Sequence, residues 1–220
     1  MSAYLKALMV LGAGFVAVAL LWPSPQKPAA PIPPAHIAAQ AAPVVIHAPH
    51  PTGPRIWYAA NNTPRLTLPD GQHKIVHSVL NITEPMHFGS YVWNDTNIPD
   101  GPVWVRVDLE KQLLSVFRAG HEIGSAVILY GAAGKPTPTG DFAILEKRRD
   151  YHSRSYDAPM PFMLRLTDDG VAIHGSDVRK DWATHGCIGV PLEFARLLFA
   201  VAHKGDLVVI QPAGQGAEKA

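Results

Sequence analysis

The stretch "VWVRVDLEKQLLSVFR", residues 103–118, decides the fold class. In its first half, valine or leucine occupies every second position from 103 to 109, and the positions between carry tryptophan or charged residues. Alternation with a period of two, rich in β-branched side chains, is typical of a half-buried strand. The segment "QLLSVFR" follows after a short polar turn, so the stretch predicts two strands paired as a hairpin.

Segments with strand character continue on both sides of this hairpin. Upstream, "KIVHSVLNI" at 74–82 is compatible with a strand, and downstream the apolar runs "EIGSAVILY", "DFAILEK" and "DLVVIQP" each predict one. The segments "PFMLRLT" and "GVAIHG" flank Asp168, Asp169 and Gly170, which is a strong hairpin signal. The segment pattern therefore indicates a β-rich domain.

One helix is predicted shortly after residue 187. Pro191 suits the first helical position and Glu193 the first turn, while Lys204 and Gly205 supply a C-terminal charge and cap. Four apolar residues spaced at i, i+3, i+4 and i+7 form a single apolar face: Phe194, Leu197, Leu198 and Val201. The fold class predicted is mainly β with this one helix.

The two ends of the chain differ in composition from the β domain. Residues 1–22 contain a short basic lead and an uncharged apolar run at 7–22, which indicates a signal anchor or a cleaved signal peptide, and either one exports the body. Residues 23–54 hold ten prolines in 32 positions and predict an extended linker. Residues 55–100 form an N-terminal extension, 101–212 the main domain and 213–220 a loose tail.

Overall charge and cysteine content exclude two classes of protein. The 220-residue chain has a formal net charge of +1, which gives no electrostatic footprint for nucleic acid. Its single cysteine excludes an internal disulfide framework. We expect a monomeric main domain without a cofactor, and an N-terminal contact with the inner membrane through residues 7–22.

The single cysteine, Cys187, lies within "ATHGCIGVP" at 183–191. Thiol catalysis needs a thiolate, a base that generates it and donors for an oxyanion. His174 ends the strand "GVAIH" and His185 lies two residues before the cysteine, so both are candidate bases. Gly186 allows a tight turn and a close approach to a substrate carbonyl, and the amides around Cys187 are candidate oxyanion donors.

Two other interpretations of these residues remain open at this point. A lone cysteine is more often a small buried hydrophobe than a nucleophile. His174, His185 and Cys187 could also be zinc ligands, but a zinc site normally wants a fourth ligand and the sequence offers no second His/Cys cluster. Residue type and spacing favour a Cys–His nucleophile without a metal.

A family resemblance adds to this reading. The segments "IHGS" and "THGCIGVP" are together similar to the catalytic motif of the L,D-transpeptidase family, whose domain is of the YkuD type. Upstream, "KPTPTGDFAI" resembles the family's Thr-Pro-x-Gly stretch, and "APMPFMLRL" resembles the strand before its catalytic histidine. The resemblance covers about residues 101–211 and implies a β-rich, sandwich-like fold.

The resemblance also implies a reaction and a set of roles. The family transfers an acyl group from a tetrapeptide stem of peptidoglycan to a cysteine, here Cys187, and releases the terminal D-alanine. A side-chain amine of a neighbouring stem, a wall lipoprotein or water then takes the acyl group, and the first of these gives a 3→3 crosslink. By the resemblance, His174 is the general base and the Gly175 carbonyl orients its imidazole.

The remaining roles implied by the resemblance concern the substrate. His185 and Thr184 shape the acyl pocket, and Gly186 with Cys187 supplies oxyanion amides. Such a protein works in the bacterial cell envelope, outside the cytoplasm, on peptidoglycan stem peptides.

The chain departs from the family pattern in two places. Gly189 stands where the family usually has arginine, and the loop between His174 and Cys187 is shorter than in many members. Arg179 or Arg196 are candidates to replace the missing arginine. Two alternative functions are a cysteine peptidoglycan hydrolase or amidase of carboxypeptidase type, and a non-catalytic cell-wall-binding module.

Overall fold

The computed structural model describes residues 54–68, 71–132 and 134–213. The predicted signal anchor or signal peptide, the linker up to residue 53 and the tail from residue 214 lie outside the described residues. In the described ranges, no helix is both long and apolar enough to cross a membrane.

The described residues contain sixteen strands and one helix. In chain order they are β1 (Arg55–Trp57), β2 (Arg65–Thr67), β3 (His73–Ile75), β4 (Ser78–Leu80), β5 (Tyr91–Trp93), β6 (Val103–Asp108), β7 (Leu113–Arg118), β8 (His121–Val127), β9 (Gly140–Ala143), β10 (Glu146–Arg148), β11 (His152–Ser153), β12 (Ala158–Pro159), β13 (Met163–Arg165), β14 (Ala172–Ser176), β15 (Ile188–Pro191), α1 (Leu192–Val201) and β16 (Leu207–Gln211). The mainly β fold class with one helix is therefore confirmed.

Two sheets enclose the main core. The larger has the strand order β1-β4-β8-β7-β6-β16-β9, with β5 paired to β8, and the smaller has the order β10-β13-β14-β15. Side chains from β6, β7, β8 and β16 on one side meet those of β13, β14, β15 and α1 on the other, and Val105, Phe194 and Ile210 are among the fully buried residues between them. Two further pairs, β2-β3 and β11-β12, stand outside these sheets.

The hairpin predicted at residues 103–118 is confirmed, with one difference in burial. Strands β6 and β7 pair antiparallel over their whole length, and Val103, Val105 and Val107 face the core. Trp104, on the opposite face, is also buried and stacks on Phe117 with ring centroids 4.1 Å apart. Alternation predicts one solvent-facing side, but residues of the N-terminal extension cover this face of the sheet near Trp104.

The segment "DFAILEK" is two strands rather than one. Strand β9 joins the larger sheet beside β16, and β10 joins the smaller sheet beside β13. At the break, Ile144 donates its N–H to Asp206 O, whereas Leu145 donates to Arg165 O. The chain changes sheets between these two residues, which a continuous apolar run does not reveal.

The predicted helix begins at Leu192, one residue later than Pro191 indicated, and it also ends earlier than predicted. Pro191 is its N-cap and Glu193 lies in the first turn, whereas Lys204 and Gly205 lie beyond the end of the helix at Val201. Lys147 of β10 donates from its Nζ to the carbonyl oxygens of Phe199 and Ala202 and so caps the helix from a neighbouring strand.

Candidate active site

A pair of parallel strands brings the two sequence-predicted catalytic residues to one face of the smaller sheet. Strands β14 and β15 pair with Ile173 opposite Ile188 and His174 opposite Gly189. The same register, continued by one residue, sets Cys187 beside Ala172, and these two side chains belong to one packed cluster. His174 follows Ala172 by two residues on the same strand, so its side chain shares a face with the thiol. Diagonal neighbours on a sheet face, about 7 Å apart at Cβ, are within reach of an aromatic side chain.

The imidazole of His174 is held in one tautomer by its own strand. Its Nδ1 lies 2.9 Å from the Gly175 carbonyl oxygen. Because a carbonyl oxygen only accepts, Nδ1 carries the proton and Nε2 keeps its lone pair. Burial lowers the pKa of His174, although the bond to Gly175 works in the opposite direction. The ring therefore rests neutral, with a basic nitrogen available.

The Cys187 thiol also rests in its neutral form. Burial raises the pKa of Cys187, and the charge of Asp169 raises it further. A hydrogen bond with the Ala172 backbone and the positive charge of Lys135 lower the pKa, but their effect is smaller. The sulfur lies 3.8 Å from the Gly170 carbonyl oxygen, a distance suited to a weak S–H donor.

Two threonine hydroxyls hold the peptide groups on either side of Cys187. Thr137 donates to the Gly186 carbonyl oxygen at 3.0 Å, and Thr184 donates to the Cys187 carbonyl oxygen at 2.5 Å. Gly186 has a φ of 101°, a backbone conformation that favours glycine. The Cys187 N–H, one of the predicted oxyanion donors, therefore belongs to a peptide group that Thr137 holds through its carbonyl oxygen.

No helix begins directly at this backbone. Strand β15 separates Cys187 from Leu192, the first residue of α1. The segment between the cysteine and the predicted helix is therefore a strand. The partial positive charge of a helix N-terminus acts only over its first turn. The threonine contacts and the sheet, rather than the helix, organise the surroundings of the thiol.

A cavity of about 370 Å³ opens beside the thiol. Cys187 and His185 line it, together with residues of the β11-β12 hairpin. At the tip of this hairpin, Tyr156 stacks on the His185 ring, with centroids 4.5 Å apart and planes 16° from parallel. The Tyr156 hydroxyl also accepts a hydrogen bond from Lys135 Nζ at 3.0 Å. The hairpin therefore reaches across the cavity to the Cys187 loop.

The other predicted site residues fall into different positions around this cavity. His185 lies on its wall, where it can touch a substrate. Thr184 is not among the lining residues, and its hydroxyl is directed at the Cys187 backbone. Arg179 pairs with Asp177 and Arg196 pairs with Glu193, and neither arginine lines the cavity.

The structure also explains how glycine fits at position 189. A Cβ atom there would stand 2.9 Å from the Ser176 Cβ and 3.5 Å from the Leu129 Cβ. Gly189 also exchanges two backbone hydrogen bonds with Leu129. This close approach leaves little room for a side chain at 189.

The described ranges contain no group of three or more His, Cys, Asp or Glu side chains placed to hold a metal ion. Sequence reasoning missed three residues of the site: Lys135, Thr137 and Tyr156. The first two lie in "KPTPTG", where their likeness to a family motif was the available signal, whereas no pattern marked the tyrosine.

Comparisons with known proteins identify the family of the main domain. The family model YkuD, described as the L,D-transpeptidase catalytic domain, matches residues 102–210. No match was found among curated proteins.

Several solved structures resemble the chain. One is an L,D-transpeptidase from Stackebrandtia nassauensis, with 24% identity and a TM-score of 0.48, over 54% of this chain and 60% of that one. A second is an L,D-transpeptidase from Mycobacterium tuberculosis, with 22% identity and a TM-score of 0.47, over 50% and 57%. A third is a mutant Enterococcus faecium L,D-transpeptidase, with 26% identity and a TM-score of 0.46, over 51% and 50%. The alignments thus span 50% to 60% of the length of these three proteins.

Proposed function

Because residues 102–210 belong to the YkuD family of L,D-transpeptidase catalytic domains, we propose that this protein is a peptidoglycan L,D-transpeptidase with Cys187 as nucleophile and His174 as general base. The observation that carries the proposal is the shared sheet face of these two side chains, together with the Gly175 carbonyl that fixes Nδ1 of His174. The shared face and the free Nε2 support the proposal that His174 acts as the base for the thiol.

The first half of the reaction follows from the neutral resting state of both groups. Nε2 of His174 takes the thiol proton as the Cys187 sulfur attacks the carbonyl carbon of the third stem residue. A carbon–sulfur bond forms, and negative charge develops on the carbonyl oxygen, near the Gly186 and Cys187 amides. The carbon–nitrogen bond then breaks, His174 gives its proton to the departing D-alanine amine, and a thioester remains.

The second half reverses these proton movements. An amine from a neighbouring stem attacks the thioester carbonyl and loses a proton to His174. The carbon–sulfur bond breaks, the proton returns to the sulfur, and an amide crosslink is complete. Water in place of the amine would give a free tripeptide stem, and an amine of a wall protein would attach that protein.

The charges around the cavity suit an anionic stem peptide. Arg165 pairs with Glu146 and Asp168, and Arg148 shares Glu146, so these two cations face two carboxylates. Lys135 instead hydrogen-bonds to the Tyr156 hydroxyl. We assign to Lys135 the recognition of a stem carboxylate close to the reacting carbonyl, while His185 contacts the acyl chain.

The test is a reaction of the full-length protein with purified tetrapeptide muropeptides, analysed by mass spectrometry. A transpeptidase should release D-alanine and form dimers joined 3→3, whereas a hydrolase would yield tripeptide monomers and a wall-binding module would change nothing. Cys187→Ala should form no product, and Cys187→Ser should also be inactive because a hydroxyl is much harder to ionise than a thiol. Dimer formation by the alanine variant would exclude the thiol as nucleophile.

A second readout follows the covalent step alone. A carbapenem has a strained lactam carbonyl that mimics the acyl donor, so the wild-type protein should gain the mass of one inhibitor molecule. Cys187→Ala should gain none. An adduct on the alanine variant would place the acylation at another residue.

The proposed substrate requires the catalytic domain to lie outside the cytoplasm. We propose that residues 1–22 export the chain, that 7–22 anchor it in the inner membrane, that 23–54 serve as a spacer, and that 55–100 precede a monomeric catalytic domain at 101–212. Cell fractionation should recover the full-length chain in the membrane fraction, accessible to protease from the periplasm. A soluble periplasmic chain shortened at its N-terminus would instead indicate a cleaved signal peptide.

A further inference from the structure

The segment 135–137 packs between two stretches of backbone and lies unusually close to one of them. A Cβ atom on Gly131 would stand 2.2 Å from the Lys135 carbonyl oxygen and 2.7 Å from the Thr137 nitrogen. On the other side, a Cβ atom on Gly186 would lie 3.6 Å from the Pro136 carbonyl oxygen. The segment thus fits between the chain after β8 and the Cys187 loop, and glycine at 131 is what permits the closest approach.

Thr137 connects these two stretches of backbone through its hydroxyl. The Oγ1 atom accepts a hydrogen bond from the Gly131 N–H at 2.9 Å and donates one to the Gly186 carbonyl oxygen at 3.0 Å. The residue is only 5% exposed, so water does not compete freely for these bonds. With the Gly131 N–H donating to the oxygen, the hydroxyl proton is committed to Gly186.

We propose that Thr137 is a positioning residue that aims the backbone N–H of Cys187 at the oxyanion of the acyl-transfer reaction. The Gly186–Cys187 peptide is trans, so its carbonyl oxygen and its N–H point in opposite directions. A hydroxyl that fixes the carbonyl on one side therefore fixes the direction of the N–H on the other. The inference rests on the proposed function, because the oxyanion forms only if Cys187 attacks a carbonyl.

The backbone of Gly186 explains why such a hold is needed. Glycine loses more conformational freedom than any other residue when its backbone is fixed, and Gly186 sits at a φ of 101°. Without the Thr137 hydroxyl, the peptide between Gly186 and Cys187 can rotate about the glycine bonds. An oxyanion donor contributes only when it is already aimed before the reaction, so a small rotation should slow acylation.

The experiment compares two reactions of the same thiol in wild type, Thr137→Val and Thr137→Ser. Acylation by a carbapenem passes through an oxyanion, whereas alkylation by iodoacetamide displaces iodide and forms none. Rates of both are measured by intact-mass spectrometry at one pH. Valine keeps the shape of threonine but has no hydroxyl, serine keeps the hydroxyl, and Thr139→Val removes an exposed threonine of the same segment as a matched control.

Thr137→Val should slow acylation by about 10-fold to 100-fold, less than the 10²–10³-fold typical for deleting an oxyanion donor, because the N–H remains but is less well aimed. Its alkylation rate should stay within about two-fold of wild type, and Thr137→Ser should acylate nearly as fast as wild type. Thr139→Val should match wild type in both reactions.

Four results would overturn the assignment. If acylation and alkylation slow equally in Thr137→Val, the residue supports the fold or the thiol rather than the oxyanion site. If neither reaction slows, or if serine fails to restore acylation, the hydroxyl has no positioning role. A wild-type protein that is alkylated at Cys187 but never acylated would refute the proposed function itself, and this inference with it.

Discussion

The catalytic pair is expected to rest as a neutral thiol and a neutral imidazole, and the pH dependence of thiol alkylation tests this. Burial raises the pKa of Cys187 and lowers the pKa of His174. A thiolate–imidazolium ion pair would require the opposite shifts, with the cysteine pKa lowered and the histidine pKa raised. The two resting states therefore predict different pH profiles for the same reaction.

The size of the effect follows from the thiolate fraction. An ordinary cysteine, with a pKa of about 8.5, is about 3% thiolate at pH 7. Because the pKa of Cys187 is raised, its thiolate fraction is smaller, and alkylation at pH 7 should run below about 3% of its high-pH rate. The rate should rise throughout the range from pH 6 to pH 9 without a plateau.

Iodoacetamide labelling followed by intact-mass spectrometry gives this profile directly, since the chain has one cysteine. Two charge variants supply a matched comparison. The charge of Lys135 lowers the pKa of Cys187 and that of Asp169 raises it, so Lys135→Gln should slow alkylation at pH 7 and Asp169→Asn should speed it. Both side chains are exposed, so water and salt should limit each change to a few-fold.

A rate plateau between pH 5 and pH 7 would refute the neutral pair, because only a thiolate that is already formed reacts at a constant rate there. Changes of the same sign in the two charge variants would refute the electrostatic explanation. A profile that rises steadily from pH 6 to pH 9, with opposite changes in the variants, would support the proton transfer to His174 during attack that is proposed above.

Two further predictions concern the frame of the site. Lys147→Met should lower the free energy of unfolding by about 1–2 kcal/mol in urea titrations, because it removes the cation that binds carbonyls at the C-terminal end of α1. As a control, Lys111→Met at an exposed ion pair should change the free energy of unfolding by less than about 0.5 kcal/mol. Equal losses in the two variants would mean that the cap contributes nothing. Gly189→Ala should cost about 1–3 kcal/mol because its Cβ meets Ser176, and the cost should shrink when Ser176→Gly is already present. Additive effects of these two substitutions would show that the close contact is not the cause.

The hairpins were predictable because their causes are local. Strands β6 and β7 are neighbours in sequence and show strand patterns separated by a short polar turn, and Asp168, Asp169 and Gly170 mark the turn between β13 and β14. The burial of Trp104 was not predictable, since it depends on an extension that has weak strand signals of its own. The change of sheet after Ile144 depends on hydrogen bonds to Asp206 and Arg165, far along the chain.

The same distinction between local and long-range causes applies to the residues of the site. Residue types limited the candidate base to His174 or His185, and the resemblance of "IHGS" and "THGCIGVP" to a family motif then indicated His174. The contact of Thr137 with Gly186 joins residues 49 positions apart, and the stacking of Tyr156 on His185 depends on how the β11-β12 hairpin folds back. A single sequence carries no spacing or periodicity that encodes such contacts.

The register between β14 and β15 bears on position 189, where this chain has glycine and the family usually has arginine. Gly189 lies directly opposite His174 on the face that holds the thiol, and Ala172 lies beside Cys187 on the same face. Because both residues are small, neither fills the space between imidazole and thiol with a long side chain, which favours a proton transfer between them. An arginine at 189 would have to displace Ser176 and extend from this face. The proposal therefore assigns carboxylate recognition to Lys135, which lines the cavity and whose charge lowers the pKa of the thiol.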